Sequence, residues 1–540
     1  MRIWSWINDN LISLARQMRV SYLPPLMVYL AAGVSGLTAI VGTFFVKDYL
    51  GFSAEFLAAL AFWAGIPWTL KMPVGHLVDL LWRWKSFFVF LGAGLIGMGF
   101  VIMLGLIGRN PLMTRYMSVE AWYVLGVLLA PLGYVVQDVV ADAMTVEAVP
   151  VVDDKGIPND PAVIKLMHTT MQTLGRAAIV GGGILVSLVN IFMFSGVAGM
   201  SEADKITIYL DIYRMALIIP LISVLGVVIA WFLRKVRIKR LRRLGFPEER
   251  IAEMLNIHGE KTHPNWWVLG GSLAFVIFTL AMGLGTIPFD QEIVFAGSMG
   301  IVIFLMSRLL RELNPVDRRS LVGTAVIIFV FRALPGPGAG STWWEIDQLG
   351  FDQQFISNLS LISSTFALFG MFVFRRFMAQ RSIAYVVGFL TIAGTVLSLP
   401  IIGLYYGLHH WTSALTGGVV DARFIALVDT ALESPLGQVA MIPMLAWIAQ
   451  SAPPHLKATF FAVMASFTNL ALSMASLGTK YLNQLYVVSR QVLDAGTGAV
   501  KVPADYSQLG MLLVTVTLLG LILPLLTIWA VQKSRIRSTA

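Results

Sequence analysis

Apolar residues in this chain run in blocks long enough to cross a membrane, separated by short polar stretches. Fourteen blocks can be marked, at approximately 22–45, 54–74, 86–107, 120–147, 161–193, 207–233, 265–287, 291–311, 319–340, 353–375, 383–405, 422–449, 456–486 and 507–532. A helix of about 20 residues spans a hydrocarbon core of roughly 30 Å, so each block predicts one transmembrane helix. A transmembrane barrel would show shorter segments of alternating polarity instead. The pattern therefore predicts an all-α membrane protein.

Composition agrees with that pattern. Hydrophobic residues make up 57% of the 540 and charged residues 13%, with a mean hydropathy of +0.77, far from what a polar globular surface requires. Lys and Arg fall mainly on one side of the expected topology: Arg2, Arg16 and Arg19, then Arg83 and Lys85, the run RKVRIKRLRR from Arg234, Arg308, Arg311, Arg318 and Arg319, Arg375, Arg376 and Arg381, and Lys533, Arg535 and Arg537. By the positive-inside rule this side is cytoplasmic, both termini included. The formal charge of +9 then follows from topology and calls for no nucleic acid. With no cysteine there are no disulfides or thiolate metal sites. Residues 1–21 read as a cytoplasmic amphipathic helix at the interface, not a cleaved signal.

The chain also repeats. KDYLGFSAEFL at 47–57 and IDQLGFDQQFI at 346–356 align Asp48, Leu50, Gly51, Phe52 and Phe56 with Asp347, Leu349, Gly350, Phe351 and Phe355. This predicts two six-helix halves, 22–233 and 319–532, joined by a basic cytoplasmic loop, 234–264, and an inserted transmembrane hairpin, 265–311, a surface on which a partner protein could dock. Parallel six-span repeats are the plan of major facilitator transporters, whose solute site lies near the bilayer midplane between halves that alternate in access. Gly75, Asp79, Arg83 and Lys85 in VGHLVDLLWRWK resemble that superfamily's cytoplasmic gate motif; ordinary loop positive charge is the other account of the two cations, and it leaves Asp79 unexplained.

A narrower resemblance rests on FFVKDYLGFSAEFL, PWTLKMPVGHLVD, QDVVADAMTVE and IPMLAWIAQSAPPHLKATFFAVMASFTNLALSMASLGTKYLNQL, in this order. Together they resemble the folate–biopterin transporter family of the major facilitator superfamily, whose Lys-Pro pair appears here as Lys71-Met72-Pro73. QDVVADAMTVEAVP is also similar to the muropeptide permeases. The resemblance implies a secondary transporter in the cell inner membrane, moving an organic anion or zwitterion of folate or pterin type, with no cofactor and no enzymatic chemistry. It draws attention to Lys71 at the gate and to Ser466 and Asn469 as solute contacts. A non-transporting assembly factor on the same fold stands as the other class of function.

Candidate chemistry lies in ionisable groups at membrane depth, each costing roughly 3 kcal/mol or more unless partnered. Asp138 and Asp142, one turn apart near the midplane of the fourth block, could carry a coupling proton or form a structural ion pair. Arg176 and Arg332, one in each half, could hold a solute's acid groups, with Gln172 on the face of Arg176. After Arg332, Pro335-Gly336-Pro337-Gly338 cannot continue a helix. The ninth span either breaks there beside a cavity or ends in an outer turn. Gly181-Gly182-Gly183 reads as close helix packing. Trp343 and Trp344 read as an interfacial belt, and Asp429 and Glu433 as a solvated rim, an outer gate or a binding site. No nucleotide, metal or nucleophile signature occurs.

Overall fold

A computed structural model describes residues 18–538 apart from 70, 82–83, 110, 151–156, 158, 255–265, 285–286, 375–376, 378–380, 438, 440–456 and 494–499. Residues 1–17 of the expected helix over 1–21 lie outside the described residues, and Val20–Tyr22 form one 3-10 turn. Counting helices of ten residues or more, the order is α1 (Leu23–Val34), α2 (Ala39–Tyr49), α3 (Ala54–Thr69), α4 (Lys71–Leu80), α5 (Lys85–Ile107), α6 (Val119–Ala148), α7 (Pro161–Met193), α8 (Glu202–Ala216), α9 (Ile218–Arg243), α10 (Trp266–Leu284), α11 (Asp290–Leu309), α12 (Pro315–Arg332), α13 (Ala339–Leu349), α14 (Gln353–Val373), α15 (Ile383–Tyr405), α16 (Ala422–Glu433), α17 (Lys457–Leu485) and α18 (Leu509–Lys533). Between α17 and α18 lies a short antiparallel pair, β1 (Val492–Leu493) and β2 (Val500–Val502).

Each apolar block contains described helix, and among the described residues nine helical stretches are long and apolar enough to cross a membrane. The other blocks hold helices that are shorter, interrupted or run to the edge of the described residues. Helix starts are written locally. Ser118, Ser201, Asn314, Asp352, Ser382 and Asp421 each accept a hydrogen bond from the backbone N–H three residues on, which satisfies one of the donors a helix leaves open at its start.

The chain falls into two compact units, one formed by residues 1–38, 73–189 and 201–269, the other by 39–72, 190–200 and 270–540. In the first, α5 and α6 run antiparallel in close contact because glycines face each other. A Cβ on Gly92 or Gly133 would come within 2.6 or 2.5 Å of the other's carbonyl oxygen, and one on Gly99 within 3.0 Å of that of Gly126. Small residues that let backbones approach are the main source of helix association in lipid. Gln137 of α6 then locks the rotation, donating to Val89 O of α5 at 3.1 Å and to Ser223 Oγ of α9 at 2.9 Å. α1 docks through Gly33, whose Cβ would lie 2.3 Å from Ile179 O, and Gly182, whose Cβ would lie 2.7 Å from Gly33. The packing role expected for the triple glycine thus falls on its middle member.

In the second unit α3 lies along α17, which is why residues 39–72 group with C-terminal elements. α10 and α11 pack on this pair through Phe62, Ile66, Phe275, Val294 and Leu477, and Glu292 of α11 accepts from Tyr481 Oη and, at 3.3 Å, from Lys480 of α17.

The repeat returns in three dimensions. α3 and α14 begin at equivalent positions, each capped from the equivalent side chain: Ser53 Oγ accepts from Phe56 N at 3.0 Å and Asp352 Oδ1 from Phe355 N at 2.7 Å. Phe52 and Phe56 stack at 4.8 Å, and Phe351 and Phe355 at 4.6 Å.

Candidate transport site

With Gln137 turned toward α5 and α9, the next position on α6 faces another way. Asp138 and Asp142 are half-buried, and Asp142 accepts a 2.7 Å hydrogen bond from Tyr29 Oη of α1. The same tyrosine lies in the fields of Asp138 and of Arg176 on α7. Gly175 makes this approach possible, since a Cβ there would lie 2.8 Å from the Tyr29 ring. Val28, Tyr29 and Ala141 close the cluster with apolar contacts. The first unit thus brings together both sequence-nominated acids and one nominated cation, around a tyrosine the sequence reading missed. Its signal was faint: a single hydroxyl in the run LMVYLAAG. Gln172 sits on α7 within the same turn as Arg176; its side chain lies outside the described residues.

In the second unit α12 ends at Arg332, residues 333–338 leave the helix, and α13 resumes at Ala339. The helix is interrupted at the Pro-Gly stretch. α17 cradles the break. Gly336 N–H donates to Thr479 Oγ1 at 2.9 Å, Asn483 Nδ2 donates to Pro337 O at 3.3 Å, and Pro335 rests on Gly478. Gly338 takes φ +75° against Asn483, a left-handed conformation that favours glycine. Arg332 is half-buried at the last turn of α12, where a cation also meets the partial negative end of the helix.

Ser466 and Asn469 do a specific job in the seam with α3. Ser466 Oγ donates to Thr69 O at 3.0 Å and Asn469 Nδ2 to Trp68 O at 3.1 Å. Pro67 lies inside the last turn of α3, and final helical carbonyls lack intrahelical partners, so these donors satisfy backbone oxygens that would otherwise be orphaned in an apolar setting.

At the proposed gate, a Cβ on Gly75 would, among the described residues, lie an ordinary 3.9 Å from Val139. Lys71 opens α4 and Lys85 opens α5, both half-buried. The Asp79 side chain and all of Arg83 lie outside the described residues.

Three further features depart from the sequence reading. Trp343 and Trp344 are core residues, not a belt: both are buried with Phe351, Phe355 and Leu509, because the break turns α13 into the unit. Asp429 is 7% exposed and among the described residues its Oδ1 has no hydrogen-bond partner, which is not the setting of a solvated rim. The third is a charge network at the end of α2. Lys47, 8% exposed, pairs with Asp347 of α13 at 2.5 Å and with Asp48 at 3.3 Å. Tyr506 Oη donates to Asp347 at 2.5 Å, and Arg490 donates to Val46 O and lies 5.0 Å from the Trp343 ring centroid. Burial pushes the Arg490 guanidinium down to about 10 while Asp48, Tyr506 and Asp347 hold it up, so it stays cationic at neutral pH. No spacing rule could have shown this network, whose members are up to 459 positions apart, from Lys47 to Tyr506.

The fold is helical and rich in apolar helices, and solved transporters share it. A crystal structure of peptide transporter POT superposes with a TM-score of 0.59 at 15% identity, covering 96% of this chain and 94% of that one. A crystal structure of nucleoside transporter NupG does so with a TM-score of 0.53 at 12% identity, covering 95% and 99%. The BT1 family profile matches residues 32–539, and the chain belongs to that family. Folate-biopterin transporter from Synechocystis sp. is 22% identical over 451 residues, which cover 83% of this chain and 71% of the relative. The family makes this protein a multi-pass membrane transporter, not an enzyme.

Proposed function

We propose that the protein is a secondary active transporter of an anionic or zwitterionic organic solute of folate or pterin type, working by alternating access and coupled to a proton. The name of the Synechocystis relative supports the substrate class. The observation that carries the mechanism is the cluster in which Asp138, Asp142 and Arg176 act on Tyr29: two acids one helical turn apart at membrane depth, beside one cation. In this reading Asp138 and Asp142 take and release the coupling proton. Arg176 and, at the broken span, Arg332 hold the solute's acid groups, because charge-assisted hydrogen bonds to carboxylates are the strong ones. The motif residues Gly75, Asp79, Arg83 and Lys85, with Lys71, form the gate on the cytoplasmic side. The Lys and Arg distribution supports a plasma-membrane orientation with both termini inside.

The deciding experiment compares two assays of purified protein in vesicles. Asp138→Asn is expected to abolish proton-driven accumulation while retaining solute exchange at equal concentrations, since exchange need not move the proton. Intact accumulation in Asp138→Asn would make the acid structural.

A further inference from the structure

α9 is a 26-residue helix, about 39 Å long at 1.5 Å per residue, and so longer than a hydrocarbon core of roughly 30 Å. One face of it stays exposed along its whole length. Leu221, Leu225, Val228, Phe232, Lys235, Lys239 and Arg243 recur at intervals of three and four, and all are exposed. Such intervals place residues on one helical face. That face is apolar through Phe232 and cationic from Lys235 onward. Trp231 marks the change, with Lys235 Nζ 3.6 Å from its ring centroid, the arrangement of an aromatic anchor at headgroup level.

The cationic end is held in place. After Arg243 the chain turns at Gly245, φ +83°, and a short helix, Glu248–Met254, folds back so that Ile251 and Leu241 are both buried. Arg242, beside the exposed face, is tied to Glu248 by hydrogen bonds of 2.6 and 3.0 Å. Among the described residues no acid pairs with Lys239 or Arg243, and the segment 234–243 contains seven Lys or Arg and no Asp or Glu. A solvated basic face would need neither an apolar continuation on the same side nor an aromatic at the junction.

The geometry points to an anionic phospholipid site on this face, with acyl chains along Leu221, Leu225, Val228 and Phe232 and phosphate headgroups on Lys235, Lys239 and Arg243. The occupant is a lipid and not a free anion because chain and headgroup contacts are continuous on one helix side. This site does not depend on what the protein transports.

The test measures phosphatidylglycerol relative to phosphatidylcholine retained by the purified full chain from mixed-lipid nanodiscs, by mass spectrometry. Each juxtamembrane cation contributes roughly fivefold to anionic-lipid association. The triple variant Lys235→Gln, Lys239→Gln, Arg243→Gln is therefore expected to lose phosphatidylglycerol preference by on the order of a hundredfold, while Arg243→Gln alone loses roughly fivefold and serves where the triple variant folds poorly. High salt is expected to weaken the preference of the native chain and to leave that of the triple variant unchanged. Unaltered enrichment in both variants, or thermal stabilisation by inorganic phosphate equal to that by phosphatidylglycerol, would overturn the assignment.

Discussion

The Lys47 ammonium lies 2.5 Å from an Asp347 carboxylate oxygen, and these two residues belong to opposite copies of the internal repeat. Asp347 is the counterpart of Asp48, whereas the counterpart of Lys47 is Ile346. The pair therefore has no symmetry mate, and Arg490 supplies the additional positive field at Asp48 and Asp347. Burial and the neighbouring carboxylate raise the Tyr506 phenol, which keeps it a donor to Asp347. The network fastens the end of α2 to the end of α13.

Lys47 is buried while Asp347 is exposed, so breaking this pair costs less than breaking a fully buried one. Lys47→Met should lower the unfolding temperature in detergent modestly, Asp347→Asn less because Tyr506 can still bond an amide oxygen and Asp48 still faces the ammonium, and the double variant should lose less than the sum of the two. Additive losses in a double-mutant cycle would show that the two residues act independently.

Tyr29→Phe keeps the ring against Gly175 and removes only the donor to Asp142. A hydrogen bond to a charged group is worth about 1.5–3 kcal/mol, so folding should survive while proton-driven accumulation falls and solute exchange persists. Vesicle uptake and counterflow read the two separately. An equal fall in both would place Tyr29 in solute contact instead.

For Arg332→Ala the expected outcome is loss of both accumulation and exchange. A desolvated cation on a carboxylate contributes roughly 1.5–3 kcal/mol, or about ten- to a hundredfold in affinity. Binding isotherms with the solute, alongside Arg332→Lys, check this: lysine keeps the charge but not the planar donor fork, and should recover only part of the affinity.

Gly33→Ala should separate α1 from α7. Its Cβ would meet backbone, 2.3 Å from Ile179 O, and backbone cannot turn aside as a side chain can, so a cost of about 1–3 kcal/mol is expected. Thermal unfolding tests it, with Gly181→Ala as the control, because nothing lies within 4 Å of a Cβ there.

Much of the architecture was legible because it depends on local quantities. Twenty-residue apolar runs make membrane helices whatever packs beside them, since an unsatisfied backbone is too costly in lipid. The repeat around Gly51 and Gly350 marked equivalent helix starts through nearby caps, Ser53 and Asp352. The break after Arg332 followed from two prolines in sequence. Asp138 and Asp142 stood out because a charge within an apolar run has few structural excuses.

Other features were decided only when distant elements met. Whether Trp343 faces lipid or core depends on where α13 turns after the break, and composition is the same in both cases. That Ser466 and Asn469 also hold the last carbonyls of α3 appears only where α3 ends beside them. Tyr29 became part of the site through Gly175 on a helix 146 positions away, and Lys47 through an aspartate 300 positions away. A residue's type sets what it can bond, but in an apolar medium with few polar groups, its partner is set by which helix backbones the glycines allow to come close.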